Sequence, residues 1–462
     1  MIGAGSGLDV ANAAYQHGLR VALLEKDRLG GTCLNNGCIP SKLLIHSADI
    51  AETIKRAELF GIKVDGYNVE FEKIVQRVNS ITNSDSDGIR NALEGIDNPK
   101  LYLKGCKFIG PKMITMLGDE DQGIITAEKI LIAAGARPRI PNIKGLEGTG
   151  YLTSDEALRL KKQPNTLTII GGGYIACELA HFFGALGTKI NIIQSKKVLI
   201  PNEDEEVSQK FTQIFSKKYN IYVDYETEYI SREKDTNHSN EFHVVAKQHD
   251  SRKSLELVSD QLLIAAGRIP NSDTLDLEKT GVSVNEKGYI NTDRFLETDV
   301  NGIFALGDII GRYLFKHNAN HEAQYASNNI LHPDKKIPVN YAAMSHAIFS
   351  SPQVAGVGIT EQELKKEGIE YQKSVYSYFN TGMGHALEDR DGFVKFLADK
   401  IKGRILGCHI IGTDASILIH EVLVAMRAED NGGAIDNITK TVHIHPALSE
   451  VVARAAAGID RK

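Results

Sequence analysis

Cys33 and Cys38 lie five residues apart in the string Gly30-Gly31-Thr32-Cys33-Leu34-Asn35-Asn36-Gly37-Cys38-Ile39-Pro40-Ser41-Lys42. Two thiols at this spacing around an Asn-Asn-Gly bend can close a small disulfide loop. Ile39-Pro40-Ser41 has the form of a first helical turn, where proline is tolerated. Cys38 then falls near a helix N-terminus, which stabilises a thiolate. Half of a zinc site and a pair of inert buried thiols remain open as alternatives. Zinc needs more ligands, and Cys106, Cys177 and Cys408 are scattered singly, as core residues are. No metal is expected. A second group stands at the other end of the chain, in Val442-His443-Ile444-His445-Pro446-Ala447-Leu448-Ser449-Glu450. A histidine fixed by a following proline, with a carboxylate five residues on, has the makings of an oriented general base. A surface His pair is the plainer reading. Thiol–disulfide exchange, however, needs a group that takes and returns a proton.

Two glycine turns supply a different chemistry. Gly3-Ala4-Gly5-Ser6-Gly7 is followed by a helix-like stretch and by the strand Arg20–Leu24, ending at Glu25. The strand Leu167–Ile170 runs into Gly171-Gly172-Gly173-Tyr174-Ile175-Ala176, then a helix, then the strand Lys189–Ile193, ending at Gln194. A glycine turn that opens a helix brings backbone N–H groups up to a pyrophosphate, and a strand-end carboxylate accepts from ribose hydroxyls. Leu8 stands where the third glycine of the first turn is usual. In the second unit a neutral Gln194, followed by Ser195, Lys196 and Lys197, removes repulsion against a 2′-phosphate. NAD and NADP are therefore both open there, as is a plain solvated loop. Val300 to Asp308 reads as a buried strand ending in Gly307-Asp308, which can bring a carboxylate to a ribityl or phosphate group.

These residues need a large scaffold. The chain has 462 residues, 42% of them apolar and 24% charged, with 42 glycines. Two to four domains are expected at this length. The net charge of −6 gives no footing for nucleic acid or an anionic membrane as partner. No apolar run reaches the roughly 20 residues that span a bilayer, and no secretory signal pattern opens the chain. A cytoplasmic location is the resulting expectation. Only Met1 and Ile2 precede Gly3, so the first strand is very short or begins upstream of the given start. Ile130–Pro138 and Leu262–Pro270 resemble each other, each a buried strand running into a turn with Gly135 or Gly267, then Arg and Pro. They read as crossings between domains. Beyond about residue 340 the pattern changes to strand-like runs at 374–378, 392–397 and 405–411 and a helix at 416–429.

In this order and over essentially the whole chain, these motifs resemble the class I pyridine nucleotide-disulfide oxidoreductases. The Gly-Gly-Thr-Cys-x4-Cys-x-Pro-Ser-Lys string and the ending His-x-His-Pro-x-x-x-Glu carry the resemblance. It implies an α/β fold with two Rossmann-like dinucleotide-binding domains, for FAD and NAD(P), and a C-terminal α+β dimerisation domain. The expected divisions are 1–143 (FAD, first part), 144–263 (NAD(P)), 264–338 (FAD, second part and central) and 339–462 (dimerisation). By the same resemblance Cys38 lies against the flavin and Cys33 meets the substrate. Lys42 lies by the flavin and pairs with Glu178. His445, held by Glu450, is the base and reaches the other subunit of a homodimer. The implied cofactor contacts are Gly3, Gly5, Gly7, Glu25, Lys26, Gly31, Thr32, Lys42, Gly135, Arg268, Gly307 and Asp308 in the first unit. In the second they are Gly171, Gly173, Tyr174, Ile175, Gln194 and Gly267. The implied activity is oxidation of dihydrolipoamide, or a lipoyl group within a 2-oxo acid dehydrogenase complex, with NAD+. The alternative is NAD(P)H-dependent reduction of a low-molecular-weight disulfide of the mycothione or glutathione kind, which the stretch Phe315 to Ala323 resembles. Ala447, where the family usually has threonine, and Leu8 depart from the pattern.

Overall fold

The computed structural model describes residues 1–118, 123–234, 240–251, 253–428 and 432–460. Its first parallel sheet runs Lys100–Tyr102, Ala22–Leu24, Ile2, Ile130–Ile132 and Ile303–Ala305, side by side. Ile2 alone fills the central row, bridging Leu24 and Ile132. The first strand is thus a single residue here, and its backbone bonds to Leu131 and Ala133 carry the load. The second parallel sheet repeats the order: Asn220–Val223, Lys189–Gln194, Thr166–Ile170 and Gln261–Ile264, with Leu152 bridging the last strand. Short continuous apolar runs suit such strands because both faces are covered. Each unit also carries an antiparallel three-stranded meander: 106–126 in the first and 225–259 in the second.

The two turns are superimposable in their crowding. A Cβ on Gly3 would stand 2.3 Å from the Ala133 carbonyl oxygen, and one on Gly171 would stand 2.3 Å from that of Ala265. Both glycines have positive φ, +99° and +113°, which disfavours any side chain. The twin segments noted in the sequence pair with each other: Ala136–Pro138 runs antiparallel to Arg268–Pro270, as a ribbon between the units.

The C-terminal part is one antiparallel sheet in the order Ser345–Ile348, Gln353–Gly358, Ile405–Gly412, Phe393–Asp399, Tyr371–Ser377. The helices Ala415–Arg427 and Glu450–Ala457 pack on it through Leu418, Val422, Val451 and Ala455. The fold is a mixed α/β arrangement of two parallel-sheet units and a separate antiparallel C-terminal sheet, as the family resemblance implied. Among the described residues no helix is long and apolar enough to cross a membrane.

Candidate active site

Cys33 sits inside a short helix, Gly31–Asn36, and not in an open bend. Gly37 breaks that helix, and a new one, Cys38–Arg56, starts at Cys38 itself. Asn35 ties the turn down, its amide donating to the carbonyls of Arg28, Leu29 and Gly31. Both cysteines are present as free thiols. They share a hydrogen bond that pulls Cys33 down to about 7, against the effect of burial and with help from Lys316 and Lys42. The same bond, together with burial, pushes Cys38 up. The bond thus favours the thiolate on Cys33 and the protonated thiol on Cys38, opposite to the lowering of Cys38 expected from its place at a helix N-terminus. Burial drives Cys106 up to about 11 and raises Cys177 and Cys408 as well, which disfavours their thiolate forms.

A cavity of about 600 Å³ opens beside the pair. From the first glycine unit it is lined by Gly3, Gly5, Glu25 and Lys26, and from the cysteine region by Gly31, Thr32 and Lys42. Gly135, Arg268, Gly307 and Asp308 close another side. Tyr174, Ile175 and Glu178 enter it from the second unit. The volume lies in the usual range for cofactor sites. The backbone is shaped for close approach: a Cβ on Gly31 would stand 2.8 Å from the Gly5 Cα. Glu25 accepts from the Ala4 and Asp27 N–H groups at 2.8 and 3.0 Å, which fixes its carboxylate at the strand end. Burial holds the Asp308 carboxyl above its ordinary range, opposed by Arg268. Gly7 starts the first helix and packs against Ala133 without lining the cavity. Leu8 joins the apolar cluster of Ala4, Leu23 and Leu29.

Lys42 donates to both oxygens of Glu178, at 2.8 and 3.0 Å. The Phe349 N–H donates to Glu178 at 3.0 Å, and the Phe349 ring lies 4.7 Å from the Lys42 ammonium. Nothing in the sequence pointed to Phe349.

Gly171, Gly173, Gln194 and Gly267 lie outside this cavity. A Cβ on Gly173, in the turn that opens the helix Tyr174–Ala185, or on Gly267 would meet nothing within 4 Å. Gln194 folds inward, its amide donating to the Val198 carbonyl at 3.3 Å, while Lys196 and Lys197 are exposed. At the far end of the chain, His445 Nδ1 is 3.0 Å from Glu450. That bond holds the Glu450 carboxyl below its usual range. The His445 side chain is 77% exposed, with Val442 and Ile444 exposed beside it. The cavity in its own chain does not include it. Among the described residues no cluster of three metal-ligating side chains occurs.

Residues 1–323 match the family described as Pyridine nucleotide-disulphide oxidoreductase, and residues 344–456 match the dimerisation domain of the same family. The chain belongs to this family. It is 35% identical to mycothione reductase from Mycobacterium tuberculosis (strain ATCC 25618 / H37Rv), covering 99% of this chain and 98% of that one. It is 36% identical to dihydrolipoyl dehydrogenase from Chlamydia pneumoniae, covering 99% and 95%. Its fold matches the HOCl-induced flavoprotein disulfide reductase RclA from Escherichia coli with a TM-score of 0.85, at 27% identity and 99% coverage of both. This pyridine nucleotide-disulfide oxidoreductase is accordingly a flavin-dependent disulfide oxidoreductase of a family that uses FAD and NAD(P)H. The glycine cradles and the cavity beside the thiols fit those two groups.

One further arrangement in this oxidoreductase escaped the sequence. The Tyr174 hydroxyl donates to Glu203, and His346 Nε2 meets the other Glu203 oxygen at 2.7 Å. Glu203 is buried; burial alone would raise it, but His346 and Tyr174 bring it below the usual range. The Tyr174 ring stacks on Phe315 and His346, with centroids 6.0 and 6.2 Å apart. Tyr174 and Phe315 belonged to stretches singled out in the sequence; Glu203 and His346 did not.

Proposed function

We propose that this oxidoreductase oxidises dihydrolipoamide to lipoamide with NAD+, using Cys33 and Cys38 as the redox-active pair of a homodimer. The observation that carries the reading is the convergence of both thiols, Lys42 and Glu178 on one cavity with the first glycine turn. Bound FAD would supply two-electron exchange between the nicotinamide and the cysteine pair. Gly3, Gly5, Gly31 and Glu25 would hold it, with Lys26, Thr32, Gly135, Arg268, Gly307 and Asp308 around it. Gly7 would support that turn from the helix start. Gly171, Gly173, Tyr174, Ile175, Gln194 and Gly267 would hold the nicotinamide cofactor.

The chain's own part is thiol–disulfide exchange. One substrate thiol, as thiolate, attacks the Cys33 sulfur of the Cys33–Cys38 disulfide, and Cys38 leaves as a thiolate. The second substrate thiol attacks the mixed disulfide, Cys33 leaves, and lipoamide is released. Two electrons then rest on the cysteine pair. One substrate proton goes to His445 of the partner subunit, which Glu450 orients through Nδ1, and the other stays on the reduced cysteine pair as a thiol. Lys42 holds positive charge beside the pair and is itself held by Glu178.

The relatives named mycothione reductase and the stretch Phe315 to Ala323 favour a second reading, NAD(P)H-dependent reduction of a low-molecular-weight disulfide. The exposed Lys196 and Lys197 would then meet a 2′-phosphate. Steady-state turnover of dihydrolipoamide with NAD+ and NADP+, beside mycothione- and glutathione-type disulfides with NADH and NADPH, separates the two. We expect the highest kcat/KM for dihydrolipoamide with NAD+; a higher value for a disulfide with NADPH overturns the first reading in favour of the second. A cytoplasmic site and association with a 2-oxo acid dehydrogenase complex accompany the first reading.

A further inference from the structure

Leu34, Asn35, Asn36 and Gly37 separate Cys33 from Cys38. Their backbone sets where one sulfur stands against the other. Asn35 anchors this stretch from within, through its amide bonds to Arg28, Leu29 and Gly31. A second anchor comes from outside. Arg159 follows the short helix Ser154–Ala157, just ahead of the strand Thr166–Ile170 of the second parallel sheet. Its Nη2 donates to the Asn35 carbonyl at 2.9 Å, and its Nε donates to Asn36 Oδ1 at 3.4 Å. Its Nη1 donates to Asn79 Oδ1 at 3.1 Å, on the helix Phe71–Leu93. One half-buried guanidinium thus ties two other segments to the middle of the stretch between the cysteines.

The contact suits both sides. The last carbonyls of a helix lack partners within it, and an arginine at that end supplies donors to them. Asn35 and Asn36 are the last two residues of the Cys33 helix. The planar fork of arginine holds several acceptors at fixed separations, which a lysine does not copy. Gly37 comes next, and a Cβ there would stand 2.8 Å from the Thr32 carbonyl oxygen. The Cys38 helix therefore starts hard against the helix that carries Cys33, and Arg159 braces the join. We propose that Arg159 is a positioning residue for the redox pair: it holds the end of the Cys33 helix so that the two sulfurs stay placed to bond each other. Closing the S–S bond releases two electrons and two protons. The better the two thiols are held together, the more the disulfide is favoured over the open dithiol. Without the brace the stretch between them relaxes, and the dithiol gains.

The inference rests on the dithiol reading and fails separately from it. The test is an anaerobic redox titration of the holoenzyme against buffers of reduced and oxidised dithiothreitol. The oxidised form takes up the two electrons and two protons as the protein disulfide closes. Samples are quenched in acid and alkylated, and the Cys33 and Cys38 peptides are quantified. A parent enzyme that forms no Cys33–Cys38 disulfide ends the dithiol reading itself. A parent that forms it sets the reference for Arg159→Met, which keeps much of the stem and loses every donor. We expect R159M to be half reduced at a roughly tenfold lower ratio of reduced to oxidised dithiothreitol, a shift of about 30 mV for a two-electron couple. Arg159→Lys, with the charge but not the fork, should fall between R159M and the parent. Flavin content, read at 450 nm, should stay at the parent level in both. A midpoint in R159M that is unmoved, or moved towards the disulfide, overturns the proposal. So does a loss of flavin in step with the shift, which would make Arg159 a support of the whole fold. If R159M does not fold, Asn79→Ala frees one arm of the guanidinium and should give a smaller shift in the same direction; no shift there overturns the proposal equally.

Discussion

Lys42 and Glu178 meet at 2.8 Å although 136 residues separate them. The contact joins the helix that begins at Cys38 to the helix that follows the second glycine turn. It therefore fixes the thiol pair against the unit assigned to the nicotinamide cofactor.

Removing one partner of this pair is expected to cost more than the pair itself is worth. Lys42→Met leaves the Glu178 carboxylate, whose side chain is 9% exposed, with the Phe349 N–H as its remaining bond. Fully buried pairs cost about 3–5 kcal/mol when broken. A third of the Lys42 side chain is exposed, so roughly 2 kcal/mol is expected after screening. Urea unfolding midpoints read this directly. The double variant K42M/E178M should recover part of the loss, because no charge is then stranded.

The two glycine turns should fail independently. Gly3→Ala forces a Cβ to 2.3 Å from a carbonyl oxygen at a positive φ, and Gly171→Ala does the same in the second unit. Each should lose more than about 1 kcal/mol of stability. G3A should lower the flavin content of purified protein. G171A should keep its flavin yet raise the nicotinamide KM steeply. Loss of flavin from G171A, measured by absorbance at 450 nm, would show that the two cradles are not separate.

Cys33 thiol reactivity should follow its lowered position near 7. The sign follows from the thiolate being the reactive form: labelling is fast above pH 7 and falls tenfold per unit below it. A profile centred near 8.5, the ordinary thiol value, would mean that the hydrogen bond from Cys38, with the nearby lysines, does not lower Cys33.

His445 is mostly exposed in its own chain, so His445→Ala should leave the unfolding midpoint of the chain within about 0.5 kcal/mol. Turnover should fall by roughly 10²- to 10⁴-fold if His445 is the proton acceptor. Glu450→Gln should fall less and shift the pH–rate profile, because it removes the carboxylate that orients Nδ1. Mixing H445A with C33S subunits offers a cross-check. Activity regained in the mixed population is expected, since half-sites built from one intact copy of each group then form.

The parts of this site that were readable in the sequence are those held by local geometry. A glycine turn, a Cys pair around Gly37 and a helix starting at Cys38 are set by neighbours within a few residues. So are the strand Lys189–Gln194 and the C-terminal runs near 374, 393 and 405. Glu178 was placed only because a family resemblance supplied its partner. Contacts between distant segments leave no periodic trace. Glu203 joining Tyr174 to His346 is one case. Lys395 is another: wholly buried in the strand Phe393–Asp399, it is paired with Asp204 and Glu361 at 2.8 and 2.6 Å. Its carboxylates come from distant parts of the chain, so nothing beside Lys395 in the sequence marks it as buried. The helical turn around Cys33, where the sequence suggested an Asn-Asn-Gly bend between the cysteines, has a related cause. Gly31 and Asn35 close a short helix through bonds that only the folded turn reveals.

The relay of electrons through Cys33 and Cys38 is tested most directly by counting thiols. The oxidised enzyme is mixed anaerobically with one equivalent of NADH, quenched in acid, unfolded and alkylated, and the modified peptides are mapped. We expect two new alkylated cysteines relative to the untreated enzyme, at positions 33 and 38 and nowhere else. A flavin that is reduced to completion while neither position gains a label would contradict the relay.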